Sequence, residues 1–167
     1  MKENEKSNHL AGKYLSFFLM DEEYGVEILK VQEIINIQHV TPVPRTPEYL
    51  RGVINLRGKI IPVVDLRLRF GMEATEDEET CIIVVETHGI TIGAMVDRVH
   101  EVLDVGPEDI KPPPSFEASV DTSFLMGMSN DGGRVRLLLN IDNVLSTMNL
   151  PDADMASMAY GQVQKGA

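Results

Sequence analysis

The sequence predicts a mostly β protein built from two copies of one small unit, each with about five short strands and one short helix. Three observations predict it. Runs of strand length rich in Val and Ile recur along the chain, separated by Gly, Pro and acidic turns. A glycine frame appears twice, because Gly127 and Gly133 have the same separation as Gly52 and Gly58. Asn140 lies seven residues after Gly133, as Asp65 lies seven after Gly58, so Leu138-Leu139-Asn140-Ile141 stands where Val63-Val64-Asp65-Leu66 stands. The alignment extends upstream, where Gly93 to Val99 repeats the spacing of Gly25 to Val31. That places Glu33 opposite Glu101 and Ile34 opposite Val102. A unit of about 65 residues has a meagre core alone. Two such units are expected to pack on each other and leave a groove between them.

Taken in order, residues 1–12 read as a polar tail. Tyr14 to Met20 and Tyr24 to Ile28 read as a β-hairpin around Asp21-Glu22-Glu23. Leu29 to Asn36 fits either a short helix or an irregular turn, being too short for periodicity to decide. Ile37 to Pro44, with its VTPVP run, is an extended segment shaped by two prolines. Thr46 and Pro47 are placed as N-cap and first residue of a short helical turn. Leu50 to Leu66 is strand, turn, strand, with Gly58-Lys59 at the turn. Pro62 argues for an edge position or a bulge, since proline donates no ladder hydrogen bond. Arg67 to Phe70 is a turn or short helix. Glu73 to Glu79 carries five acids in seven residues and reads as a solvated loop. Thr80 to Glu86 and Ile90 to Val96 are strands around His88. Val99 to Val105 is apolar at both alternate and near-helical positions, and the proline-rich 106–115 is a loop. Thr122 to Met128 and Arg134 to Leu139 are strands joined by Asn130-Asp131-Gly132-Gly133, a strong hairpin signal. Ile141 to Met148 is a short amphipathic helix, and 151–167 is a tail.

Composition excludes several function classes. The chain has 167 residues and a net charge of −11, which disfavours nucleic acid and anionic membrane surfaces as partners. The absence of Trp leaves few platforms for base stacking. No apolar run is long enough for a membrane span, and the N-terminus lacks a signal-peptide core. Cys81 stands alone, so no internal disulfide can form, and a reduced compartment is the simple expectation.

Catalytic chemistry finds no anchor. Gly52 to Lys59 misses the phosphate-loop spacing, and Lys59 precedes Ile60 in place of Ser or Thr. None of His9, His39, His88 and His100 has metal-ligand spacing. Ser115, Ser119 and Ser123 lack a nucleophile-elbow context. Asp97, Glu101 and Asp104 read as solvated face residues. The expectation is therefore a protein without enzymatic activity, metal or cofactor. A small ligand-binding barrel remains as the alternative, requiring a deep pocket with convergent polar groups. Arg57, at the tip of the most constrained turn, and Glu33 are read either as surface charges or as interface anchors.

The segments EEYGVEILKVQEI, TPVPRTPEYLRGVINLRGKIIPVVDLR and IGAMVDRVHEVLDV, in this order, resemble the CheW-type chemotaxis coupling proteins over about Lys13 to Ser146. The resemblance implies two SH3-like five-stranded β-barrel subdomains, 13–71 and 80–150, packed around a shared hydrophobic core with short helices. It implies a cytoplasmic adaptor, recruited to membrane-bound receptor arrays. That adaptor bridges the cytoplasmic hairpin tip of methyl-accepting chemoreceptors to the regulatory domain of the histidine kinase CheA, with weak or no self-association. A coupling role in a pathway other than chemotaxis is the variant the fold cannot discriminate. Carried over by position, the receptor-binding residues are Leu15, Ile28, Val31, Glu33, Gly52, Arg57, Met95 and Val99. The kinase-binding residues are Val40, Val43 and Val53.

Overall fold

Continuous buried runs make up most strands in the computed structural model, which describes residues 10–112 and 122–146, and alternation decides the stretch Leu29 to Asn36. The segment left open between helix and turn shows how. Ile28–Lys30 forms a single 3-10 turn, and Val31–Asn36 then runs as a strand whose residues alternate between half-buried and exposed. Val31, Glu33 and Ile35 face inward, while Gln32, Ile34 and Asn36 face out. Three β-branched residues in six favour this over a helix. Pairing with the next hairpin then fixes it.

The strands are β1 (Gly12–Leu19), β2 (Glu22–Glu27), β3 (Val31–Asn36), β4 (Leu50–Leu56), β5 (Lys59–Asp65), β6 (Cys81–Thr87), β7 (Ile90–Val96), β8 (Arg98–Val105), β9 (Ile110–Lys111), β10 (Leu125–Asp131) and β11 (Arg134–Leu139). Two short helices, α1 (Leu66–Arg69) and α2 (Ile141–Ser146), follow β5 and β11. The expected helical turn at Thr46-Pro47 is a plain turn, closed by Leu50 N–H to Pro47 O. The Thr46 hydroxyl donates backwards to Val43 O at 2.7 Å and is not used as an N-cap. Residues 151–167 and part of the proline loop lie outside the described residues.

The strands form two sheets, ordered β8-β1-β2-β11-β10-β9 and β3-β6-β7-β5-β4. Neither sheet is a contiguous half of the chain, so the subdomain limits 13–71 and 80–150 do not describe them. Each copy contributes its first hairpin to one sheet and its remaining strands to the other. The exchange is reciprocal. Leu138 pairs in parallel with Gly25, and Val63, its equivalent, pairs in parallel with Gly93, the equivalent of Gly25. The strand after each first hairpin, β3 or β8, crosses over to pair with the other copy's first strand. Bulges recur at equivalent places, between Leu50 and Gly52 and between Leu125 and Gly127. The backbone bond from Asp65 N–H to Tyr49 O has its counterpart from Asn140 N–H to Phe124 O, both 2.7 Å. A duplicated unit that swaps its hairpin with its twin buries far more apolar surface than either unit could alone.

Pro62 is neither at an edge nor in a bulge. It lies in β5, between β4 and β7. It is tolerated because its missing N–H is not needed. Opposite it, Val53 turns both its N–H and its C=O away to Thr41, each at 2.9 Å. On the other side, pairing with β7 begins one residue later, at Val63.

Three apolar clusters result. The largest lies between the sheets and draws on both, with Leu15, Phe17 and Leu139 from one and Val64, Ile83 and Val96 from the other. Leu66, Ile141, Val144 and Leu145 of the helices complete it. Each sheet also curls over a core of its own. One holds Ile54, Ile61, Val63, Ile82, Val84 and Met95, and the other Tyr14, Val105, Ile110 and Leu138. The two sheets around a shared core agree with the expected architecture. Cys81 is buried in the shared core.

Candidate functional site

The β4–β5 turn carries the clearest departure from the duplicated frame. Arg57 and Gly58 take φ of 51° and 85°, the pair of left-handed positions that matches the twist of a two-residue hairpin. The Asn55 side chain accepts from Gly58 N–H at 2.8 Å and stiffens the turn. Arg57 therefore holds a backbone conformation disfavoured for a residue with a Cβ. Its side chain is 70% exposed, and it donates to Glu33 at 2.5 Å. That bond raises the Arg57 pKa further, so the guanidinium is always charged. Glu33 lies on β3 and Arg57 at the end of β4, the two ends of one sheet, so the ion pair ties the curl together. The second carboxylate oxygen of Glu33 is buried and accepts no hydrogen bond among the described residues.

Ile28, Val31 and Val99 are half-buried and pack on the rim of the shared core. All three thus share that core, Val31 on β3 beside Val85 and Val99 on β8 beside Phe17. Two of the expected receptor-binding residues are not at the surface, since Leu15 is 4% exposed and Met95 2%. Met95 also belongs to a different core from Ile28, Val31 and Val99. Both lie on central strands, β1 and β7, that are buried on both faces. Gly52 serves backbone approach: a Cβ there would lie 2.0 Å from Thr41 O, with φ at 140°. Val53 is 7% exposed and lies beneath the Thr41 bridge, while Val40 and Val43 are half-buried on the same segment.

Sequence reasoning missed a buried charge cluster. Arg67 and Asp65 are both fully buried. Arg67 Nε and Nη2 donate to the two oxygens of Asp65, each at 3.0 Å, a bidentate pair. Arg51 Nε adds a third bond to Asp65 at 3.0 Å. Arg67 Nη1 reaches Asp97 at 2.8 Å and also bonds Thr75 O, which fastens the acidic loop to the fold. Burial pushes the Asp65 carboxyl up, but the bonds and charges of Arg67 and Arg51 outweigh it and hold it below the usual carboxylate range. Asp97 is thus a structural partner, not a solvated face residue, whereas Glu101 and Asp104 are exposed as expected. The alignment of Asp65 with Asn140 was a signal, since only the charged copy needs a buried cation beside it.

A second cross-link joins distant parts of the chain. Lys30 Nζ meets Asp142 at 2.9 Å, and the Thr87 hydroxyl donates to the other Asp142 oxygen. Burial raises the Asp142 pKa, but the bonds from Thr87 and Lys30 reverse this and leave it lowered.

One open cleft of about 590 Å³ is lined by Glu48, Arg51, Leu68, Met72, Glu73 and Thr75 among others. Its one cation, Arg51, is already committed to Asp65. The cleft is open to solvent, with Glu48 and Glu73 on its wall beside Arg51, and is not the enclosed pocket that buries most of a ligand. No helix among the described residues is long and apolar enough to cross a membrane.

Comparison with known proteins identifies the family. The CheW-like domain family matches residues 13–148. Chemotaxis protein CheW of Klebsiella aerogenes is 38% identical over 149 residues, covering 89% of this chain and 90% of the relative. Chemotaxis protein CheW of Helicobacter pylori is 32% identical over 142 residues, covering 84% of this chain and 86% of the relative. The crystal structure of scaffolding protein TtCheW from Thermoanaerobacter tengcongensis superposes with a TM-score of 0.76 at 36% identity, covering 84% of this chain and 95% of that one. The chain belongs to the CheW-like domain family.

Proposed function

We propose that this chain is a non-enzymatic adaptor that couples methyl-accepting chemoreceptors to the histidine kinase CheA in chemotaxis. The observation that carries this reading is the end-to-end match to relatives named chemotaxis protein CheW and to a structure named as a scaffolding protein. The mechanism is one of contacts. A helix of the receptor hairpin tip lays apolar side chains along the rim formed by Ile28, Val31 and Val99. Glu33 and Arg57 fix its register, with one Glu33 oxygen still open to a donor. Leu15, in the shared core, supports this surface from beneath, Gly52 fixes the path of β4, and Met95 lies in a separate core. The regulatory domain of CheA docks on the segment of Val40 and Val43, backed by Val53. The adaptor works in the cytoplasm at membrane-bound receptor arrays.

The test is a pull-down of the full chain with a receptor hairpin fragment and with CheA, followed by receptor-dependent kinase activation. Arg57→Glu and Val31→Asp are expected to abolish receptor capture, with melting curves checking that Val31→Asp folds. Intact capture and activation by both variants would show the site map to be wrong. The identity of the receptor that co-purifies from cells distinguishes chemotaxis from another receptor–kinase pathway.

A further inference from the structure

The internal repeat aligns α1 with α2 and the β2–β3 connection with the β7–β8 connection. Arg67 then matches Asp142, Leu29 matches Asp97, and Lys30 matches Arg98. In both copies the second residue of the helix latches the connection that follows the other copy's first hairpin. In one latch, Arg67 of α1 grips Asp97 at 2.8 Å. In the other, Asp142 of α2 grips Lys30 at 2.9 Å. The device is duplicated with its charges reversed and its grip shifted by one residue. The end of each first strand adds a bond to its latch: Met20 N–H, just past β1, donates to Asp97 at 2.5 Å, and the hydroxyl of Thr87, the last residue of β6, donates to Asp142.

The one-residue shift has a consequence at Leu29. Its equivalent, Asp97, is consumed by the latch, but Leu29 is released and stands 93% exposed, the most exposed large apolar side chain in the described structure. A leucine with so little burial contributes almost nothing to folding. It sits on a 3-10 turn between Ile28 and Val31, both packed on the shared core. Lys30, the next residue, is held from a point 112 residues away in the chain.

We infer that Leu29 is a direct apolar contact for the receptor helix, and that Asp142, acting through Lys30, is the positioning residue that holds Leu29 outward. This rests on the receptor-facing reading of the Ile28–Val31 turn. Rigid presentation matters because a side chain fixed before binding loses less entropy when it docks.

The experiment measures affinity of the full chain for a soluble chemoreceptor cytoplasmic-hairpin fragment and, separately, for full-length CheA. Leu29→Ser is expected to weaken receptor binding about tenfold, as loss of an interface anchor does. It should leave CheA affinity and the melting midpoint unchanged. Asp142→Asn is expected to weaken receptor binding about fivefold through the lost half-exposed ion pair. Asp142→Glu should restore it, with CheA affinity constant throughout. Arg57→Glu serves as the control. If Arg57→Glu abolishes receptor binding and Leu29→Ser does not weaken it, this inference fails while the adaptor reading stands. Equal losses of receptor and CheA binding in Leu29→Ser would also overturn it. An effect of Leu29→Ser with none from Asp142→Asn would overturn the positioning role. If none of the variants, the control included, changes receptor binding, the adaptor site map itself fails.

Discussion

Helices α1 and α2 stand in equivalent places in the two copies, yet their charges are handled differently. In the first, Asp65 and Arg67 are fully buried and joined by Arg51 and Asp97. In the second, Asn140 replaces Asp65 and caps the helix through Asn143 N–H at 3.1 Å, with no cation needed. Asp142 meets its partner Lys30 at the surface, each side chain about 30% exposed. Backbone features were kept in both copies: the bulge, the parallel pairing and the glycine that lets two strands approach. Charge was not.

Replacing buried charge should give the largest effect. Arg67→Ala leaves Asp65 buried and partly unpaired, and is expected to cost about 3–5 kcal/mol in urea unfolding. Asp142→Asn at the equivalent place should cost no more than about 1 kcal/mol. Similar losses in the two variants would mean that burial does not distinguish the latches.

The glycine pair should come next. A Cβ at Gly52 would meet Thr41 O at 2.0 Å, and one at Gly127 would meet Lys111 O at 2.8 Å. Gly52→Ala is therefore expected to lose about 3 kcal/mol or more, and Gly127→Ala about 1–2 kcal/mol. Thermal unfolding of both variants checks the order, and a reversed order would contradict the geometry.

Acid should act on both copies. Burial raises the Asp65, Glu23 and Asp142 carboxyls, but their cationic and hydroxyl partners outweigh it and leave the folded pKa values lowered. Stability from a depressed carboxyl is fully present above its unfolded pKa of about 4 and lost as pH falls through the lower folded value. Unfolding free energy should be flat from pH 7 to about 5 and then decline. In Asp65→Asn, measured as the same pH series, that decline should be shallower.

The turn tips should give the smallest change in stability. Arg57→Gly places glycine at a φ of 51°, which suits it, so the melting midpoint should hold while receptor binding is lost. A midpoint that falls sharply would make the Arg57–Glu33 pair a folding device.

Much of this was legible in the sequence. Gly52, Gly58, Gly127 and Gly133 exposed the duplication, because glycine spacing reports backbone demands directly. β3 was not decided, since six residues do not separate periods of 2 and 3.6 when Val31, Ile34 and Ile35 fit both. Pro62 was misplaced because its exemption depends on where Val53 sends its hydrogen bonds, which is a tertiary fact. The hairpin exchange was invisible for the same reason: two similar copies satisfy their strands equally well by pairing within or across. Buried Leu15 and Met95 could not be told from half-buried Ile28 and Val31 without the register.

The most direct test of the account measures receptor-controlled CheA autophosphorylation in membranes carrying chemoreceptors, with and without this chain. Receptor control of the kinase is expected to appear only when the chain is added and to be absent with Arg57→Glu. Kinase activity that is the same without the chain, or that the variant supports as well as the native sequence, would contradict it.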